Sequence, residues 1–173
     1  LKVANYFLEK DELHEVWLVV SPQSPFKEKE NLIENRQRIE MVNIASEDFP
    51  KIKVCDDETG LPKPSYTFFT LIHLRNKFPD LNFILILGQD IVGCFNQWKN
   101  YKDILNDYKV YVYPRGKSTA IPKELKKHRN IHLFNAPKIE ISSTAVRKMI
   151  LNGEISFSEI PKKVKDYITK NKL

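Results

Sequence analysis

Asn82-Phe83-Ile84-Leu85-Ile86-Leu87 is followed at once by Gly88-Gln89-Asp90. A short apolar run with so abrupt a polar stop reads as a buried strand ending in a turn. Working outward, Val16–Val20 (VWLVV) is a second run of the same kind, and Ile52–Cys55, Lys109–Tyr113 and Ile131–Phe134 are further strand candidates. Helical spacing fills the intervals. Ile39, Val42, Ala45 and Phe49 recur within Ile33–Phe49, and Thr67, Leu71, Leu74 and Phe78 recur in a helix that Ser65 is placed to cap. Ile91–Asn106 reads as two short helices with Trp98 near their junction, and Pro161–Lys172 as a C-terminal helix with proline near its first turn. Strands alternating with helices predict an α/β fold: a Rossmann-like, doubly wound, mostly parallel sheet with right-handed crossovers.

The 173 residues, 42% of them hydrophobic, suit a single domain over 1–173 with a real core. No apolar run approaches the roughly 20 residues of a membrane span, and no signal peptide pattern opens the chain. Cys55 and Cys94 form no metal-ligand spacing, which suits a reduced, cytoplasmic protein. The four histidines show no metal spacing either, and no Walker loop, G-x-G-x-x-G, G-x-S-x-G or H-E-x-x-H occurs. The net charge of +6 favours anionic ligands without choosing between nucleotide and nucleic acid. Much of that excess lies in Lys123–Arg129 and Lys162–Lys172, which also read as solvated helix faces.

Ligands of such sheets bind beyond the carboxyl ends of the strands. The polar residues that stand out cluster there: Ser21–Lys27, Gly88–Asp90, Arg115 beside Gly116, and Ile141-Ser142-Ser143-Thr144-Ala145-Val146-Arg147 after the strand-like Lys138–Ile141. The last stretch reads as a helix start, its hydroxyls able to cap and its free N–H groups and Arg147 suited to phosphate. An ordinary capped surface helix has the same sequence, and the convergence of four strand exits is what favours phosphate. Gly88 permits close backbone approach and Asp90 offers a carboxylate to a ribose or a metal-bound phosphate, against a plain helix-capping role. Trp98 could stack on a flat ring or simply pack the core. Lys27, after Pro25-Phe26, supplies a point charge.

These residues resemble those of bacterial nicotinate-nucleotide adenylyltransferases, of the nucleotidyltransferase superfamily. The matching stretches run in order along nearly the whole chain: Ser24-Pro25-Phe26-Lys27, Arg38 with Met41, Pro64-Ser65-Tyr66-Thr67, Gly88-Gln89-Asp90, Phe95 with Trp98, Pro114-Arg115, Ile141–Arg147 and Asn152-Gly153-Glu154. The I-S-S-T-x-x-R stretch is shared across the superfamily, whereas P-S-Y-T with G-Q-D and the tryptophan points to the nicotinate branch. The resemblance implies a reaction in which nicotinate mononucleotide attacks the α-phosphorus of ATP, releasing pyrophosphate and forming nicotinate adenine dinucleotide, a precursor of NAD. It implies that Ser142, Ser143, Thr144 and Arg147, with Ile141, hold the ATP phosphates, Arg147 and Ser143 making the catalytic contacts. Gly88 and Asp90 would face the adenosine. Tyr66 and Thr67 would position the nicotinate carboxylate, Trp98 would stack on the pyridine ring, and Lys27 and Arg115 would complete the phosphate surface. Mg2+ would arrive with ATP, with few or no protein ligands.

The family opens with a strand and a G-x-F-x-P-x-H-x-G-H loop, whose histidines bind phosphate. Leu1–Lys10 reads as the latter part of the helix that follows this loop. The resemblance therefore implies an upstream segment, and little stability or turnover for the 173 residues by themselves. Two sister activities share the same phosphate helix: nicotinamide mononucleotide adenylyltransferase and phosphopantetheine adenylyltransferase. A non-catalytic nucleic-acid-binding module is a more distant alternative, but no RNA- or DNA-binding signature accompanies the charge. The expected partners are ATP and nicotinate mononucleotide, with no nucleic acid and no membrane. The oligomeric state is left open, a homo-oligomer included.

Overall fold

The computed structural model describes residues 1–10, 12–23, 33–116, 120–138, 143–151 and 160–173, with the backbone alone at 143–145 and 151. In chain order the elements are α1 (Lys2–Glu9), β1 (Val16–Val19), α2 (Asn35–Ser46), β2 (Ile52–Cys55), α3 (Thr67–Lys77), β3 (Ile84–Gly88), α4 (Gln89–Val92), α5 (Tyr101–Asp107), β4 (Lys109–Tyr113), α6 (Lys123–Lys126), β5 (Ile131–Leu133), α7 (Ser143–Leu151) and α8 (Lys162–Asn171). Single 3-10 turns lie at Asp57–Gly60 and Phe95–Gln97. The chain divides into two compact units, one of Leu1–Pro62 with Ile141–Leu173 and one of Lys63–Glu140. Every strand pairing is parallel, as the apolar runs predict.

In the first unit β1 pairs with β2 from Val16 opposite Ile52 to Val19 opposite Cys55. Ala4 and Phe7, on one side of α1, are buried with Val16, Val20, Ile52 and Cys55. The start of α2 is tied to the strand exits: Asn35 Nδ2 donates to Thr59 Oγ1 at 3.0 Å, in the turn after β2. Arg38 Nη1 donates to the Pro22 carbonyl at 3.4 Å, just past β1. At the other end of α2, Lys163 of α8 reaches Glu47 at 2.8 Å.

In the second unit the strands run in the order β3-β4-β5, so β4 is central. Its Val110, Tyr111 and Val112 are buried, matching a strand with a neighbour on each edge. Val92, Phe95, Ile104 and Val110 are wholly excluded from solvent and form the centre of this unit's core with Leu71, Leu87 and Tyr108. The register aligns Ile84 with Lys109 and Gly88 with Tyr113, so β3 and β4 end level.

Two local expectations change. The strand at 82–87 shifts to Ile84–Gly88, so Gly88 closes the strand and also caps α4. Ser65 does not cap α3. Tyr66 is extended at φ −103° and takes the cap position, without a side-chain hydrogen bond. Ser65 then stands one residue too early to reach the first free N–H groups, and its Oγ is buried with no hydrogen-bond partner.

Candidate active site

The exits of β3 and β4 form one constellation. Gly88 and Tyr113 are paired in register, and Asp90 and Arg115 each lie two residues beyond them. Equal overhang from level strand ends brings Arg115 Nη1 to 3.9 Å from Asp90 Oδ2, with both side chains about one-third exposed. The approach needs a glycine. A Cβ on Gly88 would meet the Asp90 carboxylate and stand 2.8 Å from Arg115 Cδ. Gly116, at φ 61°, turns the chain away directly after Arg115, in a region that disfavours other residues. Tyr113 joins the group through a hydrogen bond with Arg115; burial raises its phenol above the ordinary value, more than Arg115 offsets. Asp90 thus lies in the first turn of α4 beside a cation, not at the cap position.

Trp98 proves to be both core and surface. It is half-buried, its ring 5.1 Å from wholly buried Phe95 at an interplanar angle of 53°. Phe95 also meets Tyr101 edge-on at 6.4 Å. The backbone is pinned on both sides, with Trp98 N–H donating to the Phe95 carbonyl at 3.0 Å and Tyr101 N–H to the Trp98 carbonyl at 3.2 Å. The indole is thus held against the core through the Phe95 ring. Thr67 is the first residue of α3 and Tyr66 its cap, so this helix presents N-terminal N–H groups that no cap side chain serves.

In the first unit α7 begins at Ser143, within the stretch Ile141–Arg147 where a helix start is expected. Arg147 lies one turn in and is exposed. Ile141, Ser142 and Lys27, the Lys138–Ile141 strand beyond Lys138, and Asn152-Gly153-Glu154 lie outside the described residues, as do the side chains of Ser143 and Thr144. Arg38 gains a role that spacing could not suggest. Its guanidinium is held below its ordinary value, first by burial and then by the charge of Arg147. Among the described residues no carboxylate pairs with either arginine. The sequence signal for Arg38 was only its place in the family pattern, and nothing in spacing marked Tyr113. No group of three or more histidine, cysteine or acidic residues that could hold a metal occurs among the described residues.

A family model for cytidylyltransferase-like proteins matches residues 1–149. A protein of Flavobacterium psychrophilum named "probable nicotinate-nucleotide adenylyltransferase" is 44% identical over 168 residues, 97% of this chain and 87% of that protein. A relative of the same name from Bacteroides fragilis is 37% identical, covering 89% of this chain and 76% of its own. Among solved structures, the Plasmodium falciparum nicotinic acid mononucleotide adenylyltransferase complexed with NaAD superposes with a TM-score of 0.80 at 24% identity, over 99% of this chain and 87% of that one. The fold is thus of the nucleotidyltransferase type, and the chain belongs to the cytidylyltransferase-like family. Within it, the chain is a member of the nicotinate-nucleotide adenylyltransferases.

Proposed function

We infer that the protein transfers the adenylyl group of ATP to nicotinate mononucleotide, giving nicotinate adenine dinucleotide and pyrophosphate in NAD biosynthesis. The observation that carries this reading is the 44% identity sustained over 97% of the chain with a nicotinate-nucleotide adenylyltransferase.

An oxygen of the acceptor's 5′-phosphate attacks the α-phosphorus of ATP. The bond to the bridging oxygen breaks, and its electron pair leaves with pyrophosphate. Both reactants are anions, so the enzyme has two tasks, alignment and charge neutralisation. In the first unit, Arg147 and the N–H groups at Ser143 and Thr144, with Ile141 and Ser142 before them, would neutralise the ATP phosphates, Arg147 following charge onto the leaving group. The repulsion between Arg38 and Arg147 supports this, because an anion between them would turn it into attraction. In the second unit, Gly88 and Asp90 would receive adenosine, and Arg115 would balance Asp90 while facing the acceptor's phosphate. Tyr66 and Thr67 would orient the nicotinate carboxylate by helix N–H groups, Trp98 would stack on the ring, and Lys27 would add charge. Mg2+ would arrive with ATP, with few or no dedicated protein ligands. No described helix is long and apolar enough to cross a membrane, and we place the enzyme in the cytoplasm.

The test is pyrophosphate release from ATP by the full-length protein with nicotinate mononucleotide, nicotinamide mononucleotide or phosphopantetheine. Preference for the nicotinate acceptor supports the assignment. Equal or reversed preference moves the protein to a sister activity, and no release with any acceptor overturns adenylyl transfer.

A further inference from the structure

Lys99 follows Trp98 directly, yet it makes its contacts with another element. Its ammonium lies 4.8 Å from the ring centroid of Tyr66 and 5.1 Å from that of Phe69. Tyr66 caps α3 and Phe69 lies in its first turn. The two rings meet edge-on at 6.2 Å, and Phe68 packs edge-on against Phe69 at 5.5 Å. Phe69 is 44% exposed, so this aromatic cluster is a surface feature with a cation seated on it. The contact joins the segment carrying Trp98 to the helix start carrying Thr67. These are the two places assigned above to the pyridine ring and its carboxylate.

The local backbone favours the contact. Asn100, next in the chain, has φ 55°, a left-handed conformation that asparagine tolerates better than most residues. Its amide donates to Asp103 at 2.7 Å and secures the start of α5. Trp98 is thereby held by the Phe95 ring and by a backbone hydrogen bond from Tyr101, while the following residue is held by the aromatic faces of α3. Cation–π attraction is electrostatic and direction-tolerant, so it can set the separation of two elements without locking side-chain rotamers.

We propose that Lys99 is a positioning residue for the acceptor: seated on Tyr66 and Phe69, it fixes the separation between Trp98 and the start of α3, and so the gap that admits the pyridine ring and its carboxylate. This rests on the acceptor roles proposed above for Trp98 and Thr67. The pair Lys99→Met and Lys99→Arg tests it. Methionine keeps an unbranched stem and loses the charge, whereas arginine keeps a cation able to stack. In the full-length enzyme, Lys99→Met should raise KM for nicotinate mononucleotide about two- to fivefold, the size expected of an exposed cation–π contact. The KM for ATP and kcat should stay near wild type, and Lys99→Arg should restore the acceptor KM. A second readout is independent of turnover. The chain has two tryptophans, so in a Trp17→Phe background Trp98 alone reports, and Lys99→Met should make its emission more readily quenched by acrylamide.

An unchanged acceptor KM in Lys99→Met, an equal rise for both substrates, failure of arginine to rescue, or unchanged quenching would each overturn the proposal. Failure of the underlying acceptor assignment shows differently: wild-type enzyme would itself not use nicotinate mononucleotide, whatever stands at position 99.

Discussion

Charge is handled in opposite ways in the two units. Beyond β3 and β4, Asp90 and Arg115 stand opposite one another at 3.9 Å, so that region is balanced before any ligand arrives. In the first unit the Arg38 guanidinium is held below its ordinary value, first by burial and then by the charge of Arg147. A balanced pair shapes a surface and discriminates. Two arginines that feel each other's charge, with no carboxylate paired to either among the described residues, favour an anion as a third partner. On the roles proposed above, the second arrangement would serve the reacting phosphates and the first the part of the nucleotide that does not react.

The strongest test of this contrast is Arg147→Ala. Its exposed side chain contributes little to the fold, so kcat/KM for adenylyl transfer should fall by roughly 10²–10³, the usual cost of one charge-stabilising group at a phosphoryl transition state, with little change in Tm. A large Tm loss with intact turnover would break the distinction. In the balanced region the order should invert. Gly88→Ala forces a Cβ against Asp90 and Arg115 and should destabilise by about 1–3 kcal/mol, read as a lowered denaturation midpoint, with a raised KM for ATP.

Inorganic pyrophosphate sharpens the comparison. At ten times its Kd it should stabilise the wild type by about 1.4 kcal/mol in thermal denaturation. That gain should vanish in Arg147→Ala or Arg38→Gln and persist in Arg115→Gln. Equal loss in all three would merge the two regions into one undivided basic surface.

The smallest effect serves as a control away from both regions. Hydrogen bonds from Lys53 and Trp17 hold the Glu15 carboxyl below its ordinary value. A carboxyl depressed on folding stabilises above its unfolded pKa, near 4.5, and loses that contribution as pH falls below it. Because Lys53 is exposed and Glu15 only half-buried, Glu15→Gln should remove only a few tenths of a kcal/mol at neutral pH and flatten the acid limb of the stability profile, leaving turnover unchanged.

Much of this architecture was legible beforehand. β2 and β4 occur at their expected bounds, and β1, β3 and β5 within one or two residues, because a short apolar run cut off by polar residues has few other places to go. Spacing leaves Trp98 open between stacking and packing, and its contact with the buried Phe95 ring comes only with the tertiary structure. Ser65 was misread as a cap because one extended residue, Tyr66, delays the helix. Such a shift depends on how the preceding loop is anchored rather than on the hydroxyl.

By itself, then, the sequence determined the parallel α/β class, the order of strands and helices, and the family pattern from Arg38 to Arg147. Those follow from local polarity, turn chemistry and residue spacing. The tertiary structure alone decided which charges meet. Strand register levels Asp90 with Arg115, the packing of the Trp98 turn carries Lys99 to Tyr66, and unit folding brings the charge of Arg147 to bear on Arg38. Each joins residues far apart in the chain or carried by different elements, and no local pattern encodes a separation that only packing creates.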